Sequence, residues 1–188
     1  MATVFNPKDF GRSIEDLLAL DGDGYRLMPL SGGECSSPAA RDQLRAQPAS
    51  TLFPSACAPK AALAGLWLYF SCHSDAHEVA QDVKTADGSF WHGIVHRQEP
   101  DAANSAYWFR QVGLHPIFPA LRDETLKIQR RYSSAKQLPL TNVWDPLAFV
   151  TYCDLARVRP GSAEEAFAME VQLAEWQLLF SYCAGPKA

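Results

Sequence analysis

The hydrophobic positions of this chain recur at helical spacing along most of its length. Near the N-terminus, Phe10, Ile14, Leu17 and Leu18 are separated by one, three or four residues, which is the spacing of one face of an α-helix. Comparable patterns follow in several later segments, and the period-two alternation typical of half-buried strands is missing over any useful length. The pattern therefore predicts an all-α fold with seven or so helices.

Capping and proline signals place the starts of these helices. They occur at Asn6-Pro7, at Ser37-Pro38, at Asp145-Pro146 and at Ser162, which has Glu165 at capping-box spacing. Between the second and third of these signals, one long helical region is predicted for residues 56–84. We expect a single globular domain over 1–188, with an irregular, partly helical part at 1–55 and a helical core at 56–184.

Residues 90–116, FWHGIVHRQEPDAANSAYWFRQVGLHP, are predicted to form two helices that meet at Glu99-Pro100-Asp101. Proline inside a helix removes a backbone donor and clashes with the preceding turn. The positions that match one tetratricopeptide unit are Gly93, His96, Asp101, Ser105, Phe109 and Val112. A shift of about 34 residues finds no second copy of this pattern. We therefore expect one tetratricopeptide-like hairpin within a globular domain rather than a repeat array.

Composition excludes several classes of partner. Hydrophobic residues make up 47% and charged residues 20% of the chain, and the net charge of -4 gives no basic surface for nucleic acid or anionic lipid. The longest apolar run, residues 61–70, is well short of the roughly 20 residues of a membrane-spanning helix and predicts a buried core helix.

The N-terminus and the cysteines bear on the cellular compartment. The segment MATVFNPKDFGRS lacks the uninterrupted apolar stretch of a secretory signal, which predicts a cytoplasmic location. The five cysteines form no C-x-x-C pair and their number is odd, so reduced, mostly buried thiols are expected.

Histidines provide the candidate chemistry. His92 and His96 are four residues apart and Glu99 follows three later, so all three share one helix face. His73 and His77 repeat the four-residue spacing on the preceding helix, which a short connection makes an antiparallel neighbour. Such a set could hold a divalent metal such as zinc, iron or manganese. The alternative is that these histidines pack and form hydrogen bonds without a metal.

Arginines in the same stretch allow a different interpretation. Arg97 and Arg110 lie on the two arms of the hairpin, and guanidinium groups near Trp108 suit a carboxylate or phosphate, so a small anionic ligand is a possible partner. Alternatively, Arg97 pairs with Glu99 or Asp101 across the turn and only stabilises the hairpin. No protein partner can be inferred from the sequence.

The central motif resembles the signature of a bacterial and fungal family whose members read approximately YWHAIMHRREPDYxNAKYWFRRVGxHP. The likeness covers roughly residues 60–184 and departs from the family at Gln98, Ala102 and Ala106, where the family has arginine, tyrosine and lysine. It implies no particular reaction. Carried over residue by residue, it picks out His77, His92, His96, Arg97, Glu99, Asp101, Asn104, Trp108, Arg110 and His115. His73 is not in the pattern.

The main hypothesis from these observations is that the 90–116 hairpin forms a small-ligand-binding or catalytic pocket. The candidate acid and base groups are His77, His92, His96 and Glu99, which are also the ligands if a metal binds. The candidate ligand-binding residues are Arg97, Asn104, Trp108, Arg110, His115 and Glu175, with Gln172 as a further lining residue. One alternative is a helical interaction or structural domain in which the motif is an internal hydrogen-bond network. A metal-dependent hydrolase is the other.

Overall fold

The computed structural model describes residues 5–186 and is built from helices. The α-helices are α1 Arg12–Leu18, α2 Pro38–Arg45, α3 Ala49–Leu52, α4 Pro59–Tyr69, α5 His73–Asp82, α6 Ala86–Gln98, α7 Ala102–Val112, α8 Phe118–Arg131, α9 Pro146–Arg157 and α10 Ala163–Ala184. Two short 3₁₀ helices span Pro7–Phe10 and Ala19–Asp21. The described residues contain no strand beyond one isolated bridge, so the all-α prediction is confirmed, with more helices than the seven or so expected.

Three of the four predicted capping residues, Ser37, Asp145 and Ser162, begin α-helices as expected, whereas Asn6 begins the short 3₁₀ helix Pro7–Phe10. The Ser37 side chain accepts a hydrogen bond from the Ala40 backbone N–H at 3.2 Å at the start of α2. The Ser162 hydroxyl accepts from the Glu165 N–H at 3.1 Å at the start of α10. Each cap satisfies a backbone donor that has no partner inside the helix, which explains why these local signals locate the helix starts correctly.

The region 56–84, predicted as one long helix, is two helices. The chain turns between α4 and α5 at Ser71, whose φ of 56° lies in the left-handed region. The Cys72 backbone N–H donates to the Trp67 carbonyl at 2.9 Å, which closes the end of α4. No glycine or proline marks this break, so the sequence pattern did not reveal it.

The core forms around α4 and α10. The Trp176 indole N–H of α10 donates to the Gly65 carbonyl of α4 at 2.7 Å, and Phe180 stacks on Trp176 with ring centroids 4.9 Å apart. Trp91 of α6 lies so close to Gly65 that a Cβ there would come within 2.7 Å of its ring. The apolar run at 61–70 is buried, as predicted, except for the partly buried Leu63. None of the helices within residues 5–186 has the length and apolar character needed to cross a membrane.

The cysteines depart from expectation in one respect. Cys35 and Cys72 form a disulfide that ties the segment before α2 to the start of α5. The expectation that all cysteines are reduced was wrong, because the pairing depends on tertiary proximity between positions 37 residues apart and not on local spacing. Cys153 and Cys183 are buried thiols as predicted, and burial raises the pKa of Cys153 to about 12.

The hairpin predicted from residues 90–116 consists of α6 and α7, which pack on each other along their length. The break falls at Glu99-Pro100-Asp101, as predicted. The Ser105 hydroxyl donates to the Gly93 carbonyl at 2.7 Å, and a Cβ at Gly93 would lie 3.0 Å from the Phe109 ring. Small residues at these positions therefore permit the close approach of the two helices. Helix α5 packs on the other side of α6 and brings its own histidines to that helix.

Candidate functional site

Three histidines from two neighbouring helices meet at one point. His92 and His96 lie one turn apart on α6, and His77 reaches them from α5. One ring nitrogen of each histidine lies within 4.8 Å of a ring nitrogen of each of the other two. The ring centroid of His77 is 4.6 Å from that of His92 and 4.9 Å from that of His96. The structure thus brings together three of the four residues predicted as metal ligands.

His92 is positioned by ring stacking. Its ring lies between Trp108, with centroids 4.0 Å apart, and His96, with centroids 4.8 Å apart, and both rings are within 23° of parallel to it. The residue is 3% exposed, and neither of its ring nitrogens has a hydrogen-bond partner among the described residues. Because stacking uses the faces of a ring, the nitrogens at the edge of His92 stay available to another ligand.

Burial favours the neutral form of two rings of the cluster, His92 and His96. Burial, and to a smaller extent the charges that His77, His96 and Lys84 carry when protonated, together lower the pKa of His92 from 6.5 to about 4. Burial also lowers the pKa of His96, against the opposing effect of the Glu99 carboxylate. A neutral imidazole has a free lone pair, which is the form that binds a metal.

Glu99 lies at the edge of the cluster. One carboxylate oxygen is 3.1 Å from Nδ1 of His96, and the other is 3.6 Å from Nδ1 of His77. The side chains of Glu99 and His77 are each 34% exposed, whereas the His96 side chain is 10% exposed. The cluster is therefore closed on the side of His92 and His96 and open to solvent on the side of His77 and Glu99.

The lowered pKa of His92 leads to a prediction for the metal-free protein. An unfolded chain takes up a proton on this ring below pH 6.5, whereas the folded protein does so only near pH 4. The contribution of His92 to the free energy of unfolding is therefore fully present above pH 6.5. It decreases by about 3 kcal/mol as the pH falls toward 4. Urea unfolding in the presence of a chelator at pH 7 and pH 4.5 measures this loss. The loss should be much smaller in His92→Gln, and an equal loss in both proteins would contradict the assignment.

Arg97 belongs to a different, fully enclosed network. Its guanidinium donates to both carboxylate oxygens of Glu175 and to the Gln172 amide oxygen on α10, and the Arg97 and Glu175 side chains are completely buried. The Gln172 amide in turn donates to the Met28 carbonyl at 3.0 Å. The alternative that Arg97 pairs with Glu99 or Asp101 across the turn was therefore wrong in its partner, because Arg97 pairs with Glu175 on α10. This network connects α6, α10 and the segment before α2.

The remaining candidates are dispersed. Asp101 caps α7 and also accepts a hydrogen bond from the Asn104 amide at 2.7 Å. His115 is buried, with Nε2 3.0 Å from an Asp87 oxygen. Arg110 is exposed on α7. Of the residues predicted to bind a ligand, Trp108 alone contacts the histidine cluster through a ring contact among the described residues.

His73 stays outside the cluster despite its spacing from His77. Its Nε2 is 2.7 Å from the Gln98 amide oxygen, and its Nδ1 is 2.9 Å from the Ser71 carbonyl. Both ring nitrogens thus have partners within the protein.

Sequence reasoning missed two residues near these sites. Asp87 pairs with His115, and Lys84 adds a positive charge that acts on His92. Both residues precede the motif along the chain, and nothing in their spacing links them to it. Such contacts arise from the packing of helices and leave no local signal.

The cluster offers three imidazole rings, one carboxylate at its rim and one solvent-facing side. Searches against protein-family models, curated proteins and solved structures found no match to this chain. The chemical interpretation of the cluster therefore depends on the geometry of the described residues.

Proposed function

We propose that the protein binds a divalent transition metal through His77, His92 and His96. The observation that carries this proposal is His92, a buried imidazole whose two nitrogens have no hydrogen-bond partner among the described residues. Leaving a buried polar group without a partner costs about 1–3 kcal/mol. A metal bound between the three rings would remove that cost for the nitrogen that binds it and would explain why three imidazoles converge at one point.

Zinc is the first candidate for this site. Imidazole nitrogens suit zinc, copper, nickel and iron, whereas magnesium and calcium prefer oxygen ligands. Three nitrogens that bind a tetrahedral zinc lie roughly 3.4 Å apart, given zinc to nitrogen distances near 2.0–2.1 Å. The ligand atoms of the three histidines lie within 4.8 Å of one another, which is of the same order as this distance.

Zinc titration of untagged, chelator-treated protein tests the proposal. We expect one zinc ion per chain by calorimetry and elemental analysis. We also expect the melting temperature to rise, because a ligand present at 100 times its Kd stabilises the folded state by about 2.7 kcal/mol. Protein that gives no binding heat and no change in melting temperature with excess zinc would contradict the proposal.

We propose a structural role for the second part of the motif. The complete burial of Arg97 and Glu175 and their hydrogen bonds support an internal network rather than a binding site for an anion. The close contacts of Gly93 with Ser105 and Phe109 support the tetratricopeptide-like interpretation of the α6–α7 hairpin. The cytoplasmic location stays a prediction, and the Cys35–Cys72 disulfide does not favour it, because cytosolic reductants oppose such bonds.

A further inference from the structure

The solvent-facing side of the cluster determines what a bound metal can do. His92 and His96 are buried, and Trp108 covers the face of His92 that is turned away from His96. His77 and Glu99 have a third of their side-chain surface exposed. A metal held by the three imidazoles would therefore meet solvent between His77 and Glu99.

Three protein ligands leave one position of a tetrahedral metal open. The compact set of ligand atoms consists of the three imidazoles and does not include Glu99, which faces the Nδ1 atoms of His77 and His96. Structural zinc sites are closed by four protein ligands, whereas catalytic sites have three and leave one position to water. A metal held by these three imidazoles alone would be of the second kind.

We propose that this centre hydrolyses small carboxylic esters, with Glu99 as the base, an inference that rests on the proposed metal binding. Water in the open position gives a proton to Glu99, and its oxygen forms a bond to the ester carbonyl carbon. The bond between that carbon and the leaving oxygen then breaks, and Glu99 returns the proton to the leaving oxygen. The products are a carboxylic acid and an alcohol, and no redox partner is required.

An acyl substrate fits this cluster better than a phosphoryl substrate. Many enzymes that displace phosphoryl groups use two metals about 3.5–4 Å apart, which hold the attacking and the leaving oxygen. The described residues contain one group of three histidines, cysteines or carboxylates close enough to hold a metal, which is the cluster of His77, His92 and His96. A single metal that polarises a carbonyl oxygen and binds water is sufficient for ester hydrolysis.

The Glu99→Gln variant tests this inference. Zinc-loaded protein should hydrolyse 4-nitrophenyl acetate faster than zinc-free protein, and Glu99→Gln should bind one zinc ion but lose about 100-fold or more of this rate, the usual contribution of a general base. Glu78→Gln is the matched control, because Glu78 is an exposed carboxylate next to His77 in the sequence, and it should retain both zinc and rate. Azide added to the cobalt(II) form should change its visible spectrum by occupying the open position.

Each contrary result has a distinct meaning. Zinc that binds without accelerating ester hydrolysis, a Glu99→Gln rate equal to the wild-type rate, or a cobalt spectrum that azide does not alter would each overturn the hydrolytic inference while leaving metal binding intact. Loss of zinc from Glu99→Gln would make Glu99 a fourth ligand of a closed site and would also overturn it. Failure of the wild-type protein to bind zinc contradicts the proposed function itself.

Discussion

Replacing His92 with alanine should remove zinc binding at the cluster. The His92 ring contacts the rings of His77, His96 and Trp108, and both of its nitrogens lack a hydrogen-bond partner among the described residues, so no described group can replace it as a ligand. Loss of a residue that only orients a metal ligand costs roughly 10–100-fold in affinity, and loss of the ligand itself should cost more. We expect the Kd for zinc to rise at least about 100-fold, as measured by calorimetry with a competing chelator.

His73→Ala is the matched control for this experiment. His73 lies on the same helix as His77, one turn away, but its ring nitrogens contact Gln98 and Ser71. It should bind zinc with wild-type affinity. His77→Ala provides a second test with a lower risk to folding, because its side chain is 34% exposed, and it should also lose zinc. A His92→Ala protein that is folded by circular dichroism and binds zinc as tightly as His73→Ala would refute the site.

Replacing Arg97 with alanine should destabilise the fold strongly. The change leaves the Glu175 carboxylate buried without its cation, and it removes a guanidinium that also lies 4.6 Å from the centre of the Phe149 ring. Breaking one side of a buried ion pair costs about 3–5 kcal/mol. Urea unfolding should show a decrease of this size in the free energy of unfolding. The zinc affinity of the protein that remains folded should change little, because Arg97 is not a member of the cluster.

The surface pair Arg131–Glu170 is the control for this prediction. Arg131 also joins a helix to α10, but its side chain is 55% exposed. Arg131→Ala should therefore cost no more than about 1 kcal/mol. The double variant Arg97→Met with Glu175→Leu should recover much of the lost stability, because an apolar pair of similar size avoids burying charge. Equal effects of Arg97→Ala and Arg131→Ala would show that burial does not determine the strength of this pair.

The local features of this protein could be predicted from its sequence. Helical periodicity and capping residues such as Ser37 and Ser162 predicted the all-α class and the starts of several helices, because both act within one or two turns. The break at Pro100 was predicted for the same reason. The break at Ser71 was missed. Ser71 adopts the left-handed conformation, but a serine does not mark such a position in the sequence as clearly as a glycine or a proline does.

The sequence also determined which residues share a helix face, and only the tertiary structure decided what each face meets. Spacing placed His92 and His96 together on α6, but the packing of α5 against α6 selected His77 over His73 as their neighbour. Arg97 is adjacent to His96 in sequence, yet the helix directs it toward Glu175. Side-chain spacing follows from the geometry of a single helix, whereas burial and pairing depend on contacts between residues distant in the chain, such as those 78 positions apart in the Arg97–Glu175 pair.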